Sequence, residues 1–402
     1  MSLKLVLFYI IGFIILYLEP IPIVGMTFGA LWKVVLIFIL FIPIIYATFK
    51  EKYMEMFAFI TILFAFKTLI SYSSLDYIMN TLIIFTKTLM LPMLYLFFIL
   101  KLKKNTLLFL AKHFSILIIL SFIPYMLGIL EPLGTGYDLG AYGLDGQFGL
   151  VGPFIKPHSA SISLAFALII ITRAITNNNT KLENIFLIFL IILAFIEMAL
   201  TYVRTGLTIY IIAILYLFMR HFNFRKLIML IVTFSILFLG GLYLYKTNDV
   251  VKMRLNDNNK YVKNGDLGSG RLQFWKAAVE NWLDDDTSVI FIGLGEEYAK
   301  DKMFEDVGLR IFAHNNFFQI LQQEGLIGMA LFLASLFLIY GFIKRNKGSI
   351  YYPTAQALFL AMLAMMMFQG GFYFNIIFFL SIYLALLKLE YLEKINPKKV
   401  KS

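Results

Sequence analysis

The side chains best suited to chemistry lie in a few polar stretches between long apolar segments. His314 belongs to FAHNNFFQILQQEGLIG (residues 312–328) and is one of 4 histidines in 402 residues. An imidazole has an ordinary pKa of roughly 6.5, so near neutral pH it can take a proton or, once protonated, hold an anion. His314 is therefore a candidate for general-base catalysis or for contact with a phosphate.

A second polar stretch, FIGLGEEYA (residues 291–299), carries two adjacent carboxylates after a Gly-x-Gly step. Two glycines can bring the backbone close to a ligand such as a sugar. We predict that Glu296 and Glu297 serve catalysis, with one of them orienting His314 or binding acceptor hydroxyls.

Four charged residues fall inside or at the ends of apolar segments: Lys67, Lys87, Glu197 and Arg204. A charge inside a membrane costs several kcal/mol unless it faces a cavity or a partner, so each is a functional candidate. The lysines could instead lift their ammonium groups to the interface, and Glu197 fits a charge partner better than a catalyst. All four map to the same side, where Arg and Lys suit a phosphate-bearing ligand.

The remaining histidines and the acids give weaker signals. His158 follows a proline at the start of an apolar segment and is a candidate for substrate binding, whereas His113 and His221 lie on the opposite side. The sequence has no cysteine, which excludes disulfides and thiolate metal sites. The acidic run at 284–286 follows an amphipathic segment and indicates a solvated loop. We predict neither a metal site nor a cofactor.

The elements that position these residues are membrane helices. The chain is 60% hydrophobic and only 15% charged, and apolar runs of about 18–20 residues recur throughout. This pattern predicts an all-α polytopic membrane protein of about twelve spans. The predicted spans are 3–18, 29–48, 57–73, 79–99, 106–127, 159–176, 184–202, 206–219, 226–245, 326–343, 353–369 and 374–391.

The net charge of +11 is explained by basic loops, so we do not expect nucleic acid as a partner. Lys and Arg concentrate in alternate loops, which places both termini in the cytoplasm by the positive-inside rule. The chain then divides into an N-terminal bundle (1–245, about nine helices, with an outer loop at 128–158), a large outer loop (246–325) and a C-terminal part (326–402) with a basic tail. Long loops on one face are usually functional.

Two helices are predicted inside or beside the large loop. In SGRLQFWKAAVENWL, positions 272, 275, 279 and 282 form one apolar helical face, with Ser269 as a cap. A short interfacial helix (about 315–323) is predicted to end at Gly325, with the next span beginning at Leu326.

Four stretches in this order resemble the O-antigen ligase and polymerase superfamily. They are TYVRTGLTIY (201–210), GSGRLQFW (268–275), FIGLGEEYA and AHNNFFQILQQEGLIG (313–328). The family has an Arg-Ser/Thr-Gly turn between two spans, then a large periplasmic loop with Gly-Arg and a downstream Trp. A Gly-x-Gly step and a His-Asn pair follow. GPFIKPHSASIS (152–163) also resembles the polymerase branch of the family.

The resemblance implies a metal-independent integral-membrane glycosyltransferase (GT-C-like) of the bacterial inner membrane. It implies transfer of a growing glycan from undecaprenyl diphosphate to the next lipid-linked repeat unit, as in Wzy-like polymerases of lipopolysaccharide biosynthesis. By position, Arg204 and Arg271 match diphosphate-binding arginines and His314 matches the essential loop histidine, with Asn315 beside it. The implied partners are lipid-linked oligosaccharides as donor and acceptor, the bilayer, and a co-polymerase that regulates chain length.

Two alternatives stay open at this point. The ligase branch of the family transfers finished glycan to lipid A-core. A transporter or flippase for lipid-linked sugars would also have many spans and intramembrane lysines, but transporters place substrate groups near the midplane.

Overall fold

The structure is a computed structural model that describes residues 3–23, 26–51, 54–71, 75, 77–134, 149–175, 179–220, 242–243, 245–247, 252, 271–284, 286–370 and 373–395. Its helices are α1 (Leu3–Leu18), α2 (Phe28–Glu51), α3 (Met56–Lys67), α4 (Ile78–Lys101), α5 (Lys104–Leu120), α6 (Ile123–Met126), α7 (Pro157–Ala174), α8 (Lys181–Leu200), α9 (Arg204–Arg220), α10 (Arg271–Leu283), α11 (Thr287–Ile292), α12 (Glu296–Val307), α13 (Asn316–Arg345), α14 (Tyr352–Phe368) and α15 (Phe374–Ile395).

The prediction of an all-α polytopic membrane protein is confirmed, and the structure adds one very short two-stranded sheet. Seven described helices are long and apolar enough to cross a membrane, and three shorter apolar helices, α1, α3 and α14, accompany them. The count of about twelve spans is thus supported only in part, and the predicted span 226–245 lies almost wholly outside the described residues. Two strands of two residues each, β1 (Pro22–Ile23) and β2 (Met26–Thr27), pair antiparallel between α1 and α2.

The centre of the bundle is formed by α4, α7, α14 and α15, whose side chains are buried along most of their length. The helices interlock through polar contacts as well as apolar packing. The Asn375 amide donates to Ser163 Oγ at 2.8 Å, Ser381 Oγ donates to the Leu91 carbonyl at 3.2 Å, and Thr172 and Tyr210 share a hydrogen bond of 2.9 Å. Such bonds fix how membrane helices meet, because apolar side chains alone gain little by leaving lipid.

The two ends of the bundle differ. At the end we call the site face, α3, α8 and α14 end and α4, α7, α9 and α15 begin. The opposite end carries basic side chains held in place by carboxylates: Lys104 pairs with Glu393, and Lys112 with Glu183.

A small extramembrane layer, α10 to α12, covers part of the site face. Its own core joins Ala277, Ala278, Met303 and Ala313. The predicted helix is observed as α10, while the predicted cap Ser269 lies outside the described residues. Of the predicted apolar face, Leu272 is 51% exposed and Trp275 packs against this core, whose centre holds the two alanines. The alanines face inward because their small side chains let α10 approach α12 closely.

Helix α13 has two parts, because Gly325 adopts the non-helical angles φ 63°, ψ −168°. Residues 316–324 form a short helix that lies against the extramembrane layer, and residues 326–345 form the membrane span. The predicted break at Gly325 is therefore confirmed. A side chain at 325 would lie 2.5 Å from the Phe291 backbone, so only glycine fits.

Candidate active site

His314 lies at the site face, just before the short helix 316–324. Its φ of 52° places it in the left-handed region, which costs a non-glycine residue roughly 1–2 kcal/mol. Its ring lies 6.1 Å from the Phe274 ring and hydrogen-bonds to the main chain of Gln369. Burial, and then the positive charges of Arg271 and Lys156, lower the pKa of His314, so the imidazole is neutral at neutral pH.

Asn315, the neighbour of His314, is the N-cap of α13. Its side-chain oxygen accepts from the Phe317 and Phe318 backbone N–H groups at 2.9 and 3.4 Å, and its amide donates to the Met367 carbonyl at 3.3 Å. The first two bonds cap α13, and the third ties its start to the end of α14. Asn315, predicted to bind substrate, therefore holds the backbone on which His314 sits.

Arg204 is the first residue of α9 and its side chain is exposed at the site face. The preceding turn contains Tyr202 at φ 56°, which with His314 makes up the non-glycine residues of positive φ in the described part of the chain. The turn is held by the Ser161 hydroxyl, which donates to the Val203 carbonyl at 3.0 Å. Backbone strain that the surrounding packing maintains is typical of functional sites.

Gly206 allows this turn to lie so close to α7. A side chain there would lie 2.3 Å from both the carbonyl oxygen and the hydroxyl oxygen of Ser161. The Arg-Thr-Gly order thus has a physical reason: arginine faces outward and glycine makes room for α7.

Lys87 lies within the span α4, yet its side chain is exposed. The charges that act on it belong to Glu296, Lys300, Lys33 and Lys156, all at the site face. Lys87 therefore lies in the half of α4 that is nearer the site face.

The two glutamates after the Gly-x-Gly step belong to an ion network at the start of α12. Glu297 accepts from Asn80, Lys300 and Arg310 at 2.9, 2.7 and 2.7 Å, and Glu296 pairs with Lys300 at 2.7 Å. Burial opposes ionisation of Glu297, but the paired cations outweigh it and lower its pKa. Through these contacts Glu297 fixes the position of the start of α12.

Lys67 is buried at the end of α3, where we predicted a substrate contact. Its ammonium pairs with the Glu324 carboxylate at 3.0 Å and donates to the Ile292 carbonyl, and the lysine side chain is 7% exposed. These contacts occupy the ammonium and join α3, the end of α11 and the break in α13. We call this group the Lys67–Glu324 clasp.

The Gly-x-Gly segment completes this junction. The break at Gly325 would leave the carbonyls of the short helix unsatisfied. The Leu294 and Gly295 N–H groups donate to the Gln322 and Gln323 carbonyls at 3.0 and 2.9 Å. A side chain at Gly293 would lie 2.2 Å from the Gln323 carbonyl oxygen, so the glycine is needed for backbone packing.

The other candidates, on α7, α8 and α5, are His158, Glu197 and His113. His158 is half-buried at the start of α7, on the same face. Glu197 is fully buried near the end of α8, and within the described residues neither of its carboxylate oxygens has a hydrogen-bond partner. His113 bonds Tyr9 at 2.7 Å and lies on α5, away from this cluster.

Sequence reasoning missed the residues that α14 and α15 contribute. Gln369 contacts His314 and hydrogen-bonds to Tyr373, which also contacts Ser159 on α7. Lys156, the N-cap residue of α7, was not selected either. The polar FQGG break between two apolar runs (368–371) was a signal for this part of the site. Among the described residues no group of three or more His, Cys, Asp or Glu side chains could hold a metal ion.

Part of the chain is similar to a known protein family. Residues 187–333 match the sequence model of the Wzy_C family, described as O-antigen ligase. The chain contains an O-antigen ligase domain. Comparison with curated proteins finds no match.

The O-antigen ligase domain contains most of the predicted site. Its range runs from α8 into α13 and includes Arg204, Arg271, both glutamates and His314. The predicted resemblance is therefore confirmed. Enzymes of this family are of the O-antigen ligase and polymerase type and act on lipid-linked glycans in surface-polysaccharide biosynthesis.

Proposed function

We propose that this protein is the polymerase of a surface polysaccharide such as O-antigen. It transfers the growing glycan from undecaprenyl diphosphate to the next lipid-linked repeat unit. The observation that carries the proposal is the position of His314: a neutral imidazole in a strained backbone, with Arg271 and Lys156 near it, inside the O-antigen ligase domain.

The residues divide the chemistry between them. The acceptor hydroxyl oxygen attacks the anomeric carbon of the donor sugar, and the bond from that carbon to the diphosphate oxygen breaks. His314 takes the hydroxyl proton. Arg204 and Arg271, with Lys87 and Lys156 nearby, neutralise the departing diphosphate, a role in which a well-placed donor contributes about 3–4 kcal/mol.

No metal is required in this proposal, because the cations of the chain supply the charge. The site face is assigned to the periplasmic side. The supporting observation is the opposite end, where basic side chains such as Lys104 and Lys112 collect, as expected for a cytoplasmic surface.

The polymerase is favoured over the ligase by one electrostatic interaction. The GPFIKPH stretch, which resembles the polymerase branch, brings Lys156 to the start of α7, where its charge acts on His314. Transport is disfavoured because the polar candidates gather at one end of the bundle, whereas transporters bind near the midplane.

The test uses a strain that lacks the gene, complemented with single variants. Arg204→Ala and Arg271→Ala should abolish long polysaccharide chains on a gel, while Arg345→Ala at the opposite end should restore them. His314→Ala should still yield single repeat units attached to lipid A-core, but no long chains. Loss of these single units as well would identify a ligase instead, and normal chains from either site arginine variant would reject the diphosphate role.

A further inference from the structure

Helix α10 leaves two apolar side chains, Trp275 and Val279, partly open to solvent. Ala277 and Ala278 pack on Met303 and Ala313. Trp275 is half-buried and packs against the edge of this core, and Val279 lies one turn further along the helix. With Phe318 from the short helix, they line an open cavity of about 340 Å³. The Trp275 and Phe318 rings stack at a centroid distance of 5.5 Å and an interplanar angle of 29°.

The cavity lies next to the proposed diphosphate site. Arg271 is four residues before Trp275, a rise of about 6 Å along the helix, which is close to the length of one sugar ring. The residue just before Trp275, Phe274, contacts the His314 ring, and Phe318 shares its helix with Asn316. A glycan whose diphosphate meets Arg271 would therefore place a sugar over these rings.

The charged rim of the cavity indicates a polar ligand that lies in the aqueous phase. Lys276 and Glu280 border it, are 73% and 54% exposed, and form an ion pair of 3.5 Å. A lipid chain would not be held between exposed charges, whereas a saccharide needs polar groups at its hydroxyls and an apolar surface for its C–H face. Ligand sites typically combine an aromatic floor with a few polar groups.

We propose that Trp275 and Phe318 form a subsite for a pyranose ring of the lipid-linked glycan, with Lys276 and Glu280 bonding its hydroxyls. The inference rests on the proposed function, because it takes the diphosphate at Arg271 as its reference point. The ring bound here belongs to the sugars next to the diphosphate of the donor.

The first experiment measures binding without lipid or phosphate. The probe is a fluorescently labelled repeat-unit oligosaccharide, titrated against the purified full-length protein by thermophoresis. Trp275→Ala should weaken binding at least about tenfold, whereas Trp275→Phe, which keeps an aromatic ring, should stay within about threefold of wild type. Leu272→Ala is the control, since Leu272 is exposed on the same helix outside the cavity.

The second experiment measures transfer with lipid-linked repeat units. Trp275→Ala should raise KM about tenfold while kcat changes little, because the ring contact is remote from the breaking bond. Unchanged oligosaccharide affinity in Trp275→Ala overturns the subsite. Displacement of the oligosaccharide by sugar-free undecaprenyl phosphate, lost in Trp275→Ala, would show a lipid site and also overturn it. If wild type binds the oligosaccharide through Trp275 but makes no polymer, the proposed function fails and the subsite stands.

Discussion

The two ends of the short helix 316–324 use polar residues in opposite ways. At its carboxyl end, Glu324 is buried and bonded to Lys67, and the carbonyls of residues 322 and 323 are bonded to residues 294 and 295. At its amino end, His314 is half-buried in a strained backbone with cations near it. One end is closed by the protein's own groups, and the other is where we propose that a charged ligand binds.

Within a single stretch of sequence, the comparison separates polar residues that hold the fold from polar residues that we propose take part in the reaction. A buried ion pair adds little net stability but is costly to break, since the remaining charge has no solvent. A histidine in the left-handed region costs free energy that packing elsewhere must offset. We therefore assign the Lys67–Glu324 clasp to positioning and His314 to chemistry.

The largest expected effect is on transfer when the amino end is changed. His314→Ala should lower the transfer rate by about 10²–10⁴-fold, because it removes the proton acceptor, while the protein still inserts and keeps its thermal stability. The matched control is His113→Ala, which removes a histidine bonded to Tyr9 on α5. Equal transfer activity of His314→Ala and His113→Ala would show that His314 is not the proton acceptor.

Breaking the carboxyl end should act mainly on stability. Lys67→Met leaves the Glu324 carboxylate buried without its cation, at a cost of about 3–5 kcal/mol. Thermal unfolding of the protein in detergent should shift down accordingly. The double variant Lys67→Met/Glu324→Met should recover most of this loss. If Lys67→Met instead keeps full stability and raises the KM for the lipid-linked donor, Lys67 binds substrate as the sequence suggested.

A smaller effect is expected at the turn that carries Arg204. Gly206→Ala adds a methyl group 2.3 Å from Ser161, which should cost about 1–3 kcal/mol and displace the arginine. Gly341→Ala is a control within a span, where nothing lies within 4 Å of the added atom. Transfer activity measured at equal protein levels should fall for the first variant and stay unchanged for the second.

The smallest effect is a change in pH dependence. As the lowered pKa of His314 keeps the imidazole neutral, a base mechanism should stay active below pH ~6.5 and fail only at lower pH. Lys156→Gln removes a positive charge that lowers the pKa of His314, so the pKa should rise and the acid limb of kcat/KM should move to higher pH. Activity that falls as the pH rises through this range would instead mean that imidazolium holds the diphosphate.

Sequence reasoning predicted the fold class and the break in α13 because both leave local signals. Apolar runs of membrane length predicted the spans, and Gly325 between a polar helix and an apolar run predicted the break in α13. The burial of Ala277 and Ala278 in α10 was not predicted, because the apolar pattern of this helix was read from its larger residues.

What could not be predicted depends on partners far apart in the chain. Lys67 and Glu324 are separated by 257 residues, and Gln369 reaches His314 from another helix. Periodicity within one segment carries no information about such pairs. A lysine at the end of a span therefore has the same local sequence pattern whether it meets a carboxylate or a phosphate.

The most direct test of the account is a transfer assay with the purified protein in lipid nanodiscs, using lipid-linked repeat units in the presence of EDTA. The account predicts polymer from wild type and from His113→Ala, and none from His314→Ala or Arg271→Ala. Polymer of equal amount from His314→Ala, or a strict need of the wild type for added Mg²⁺, would contradict it.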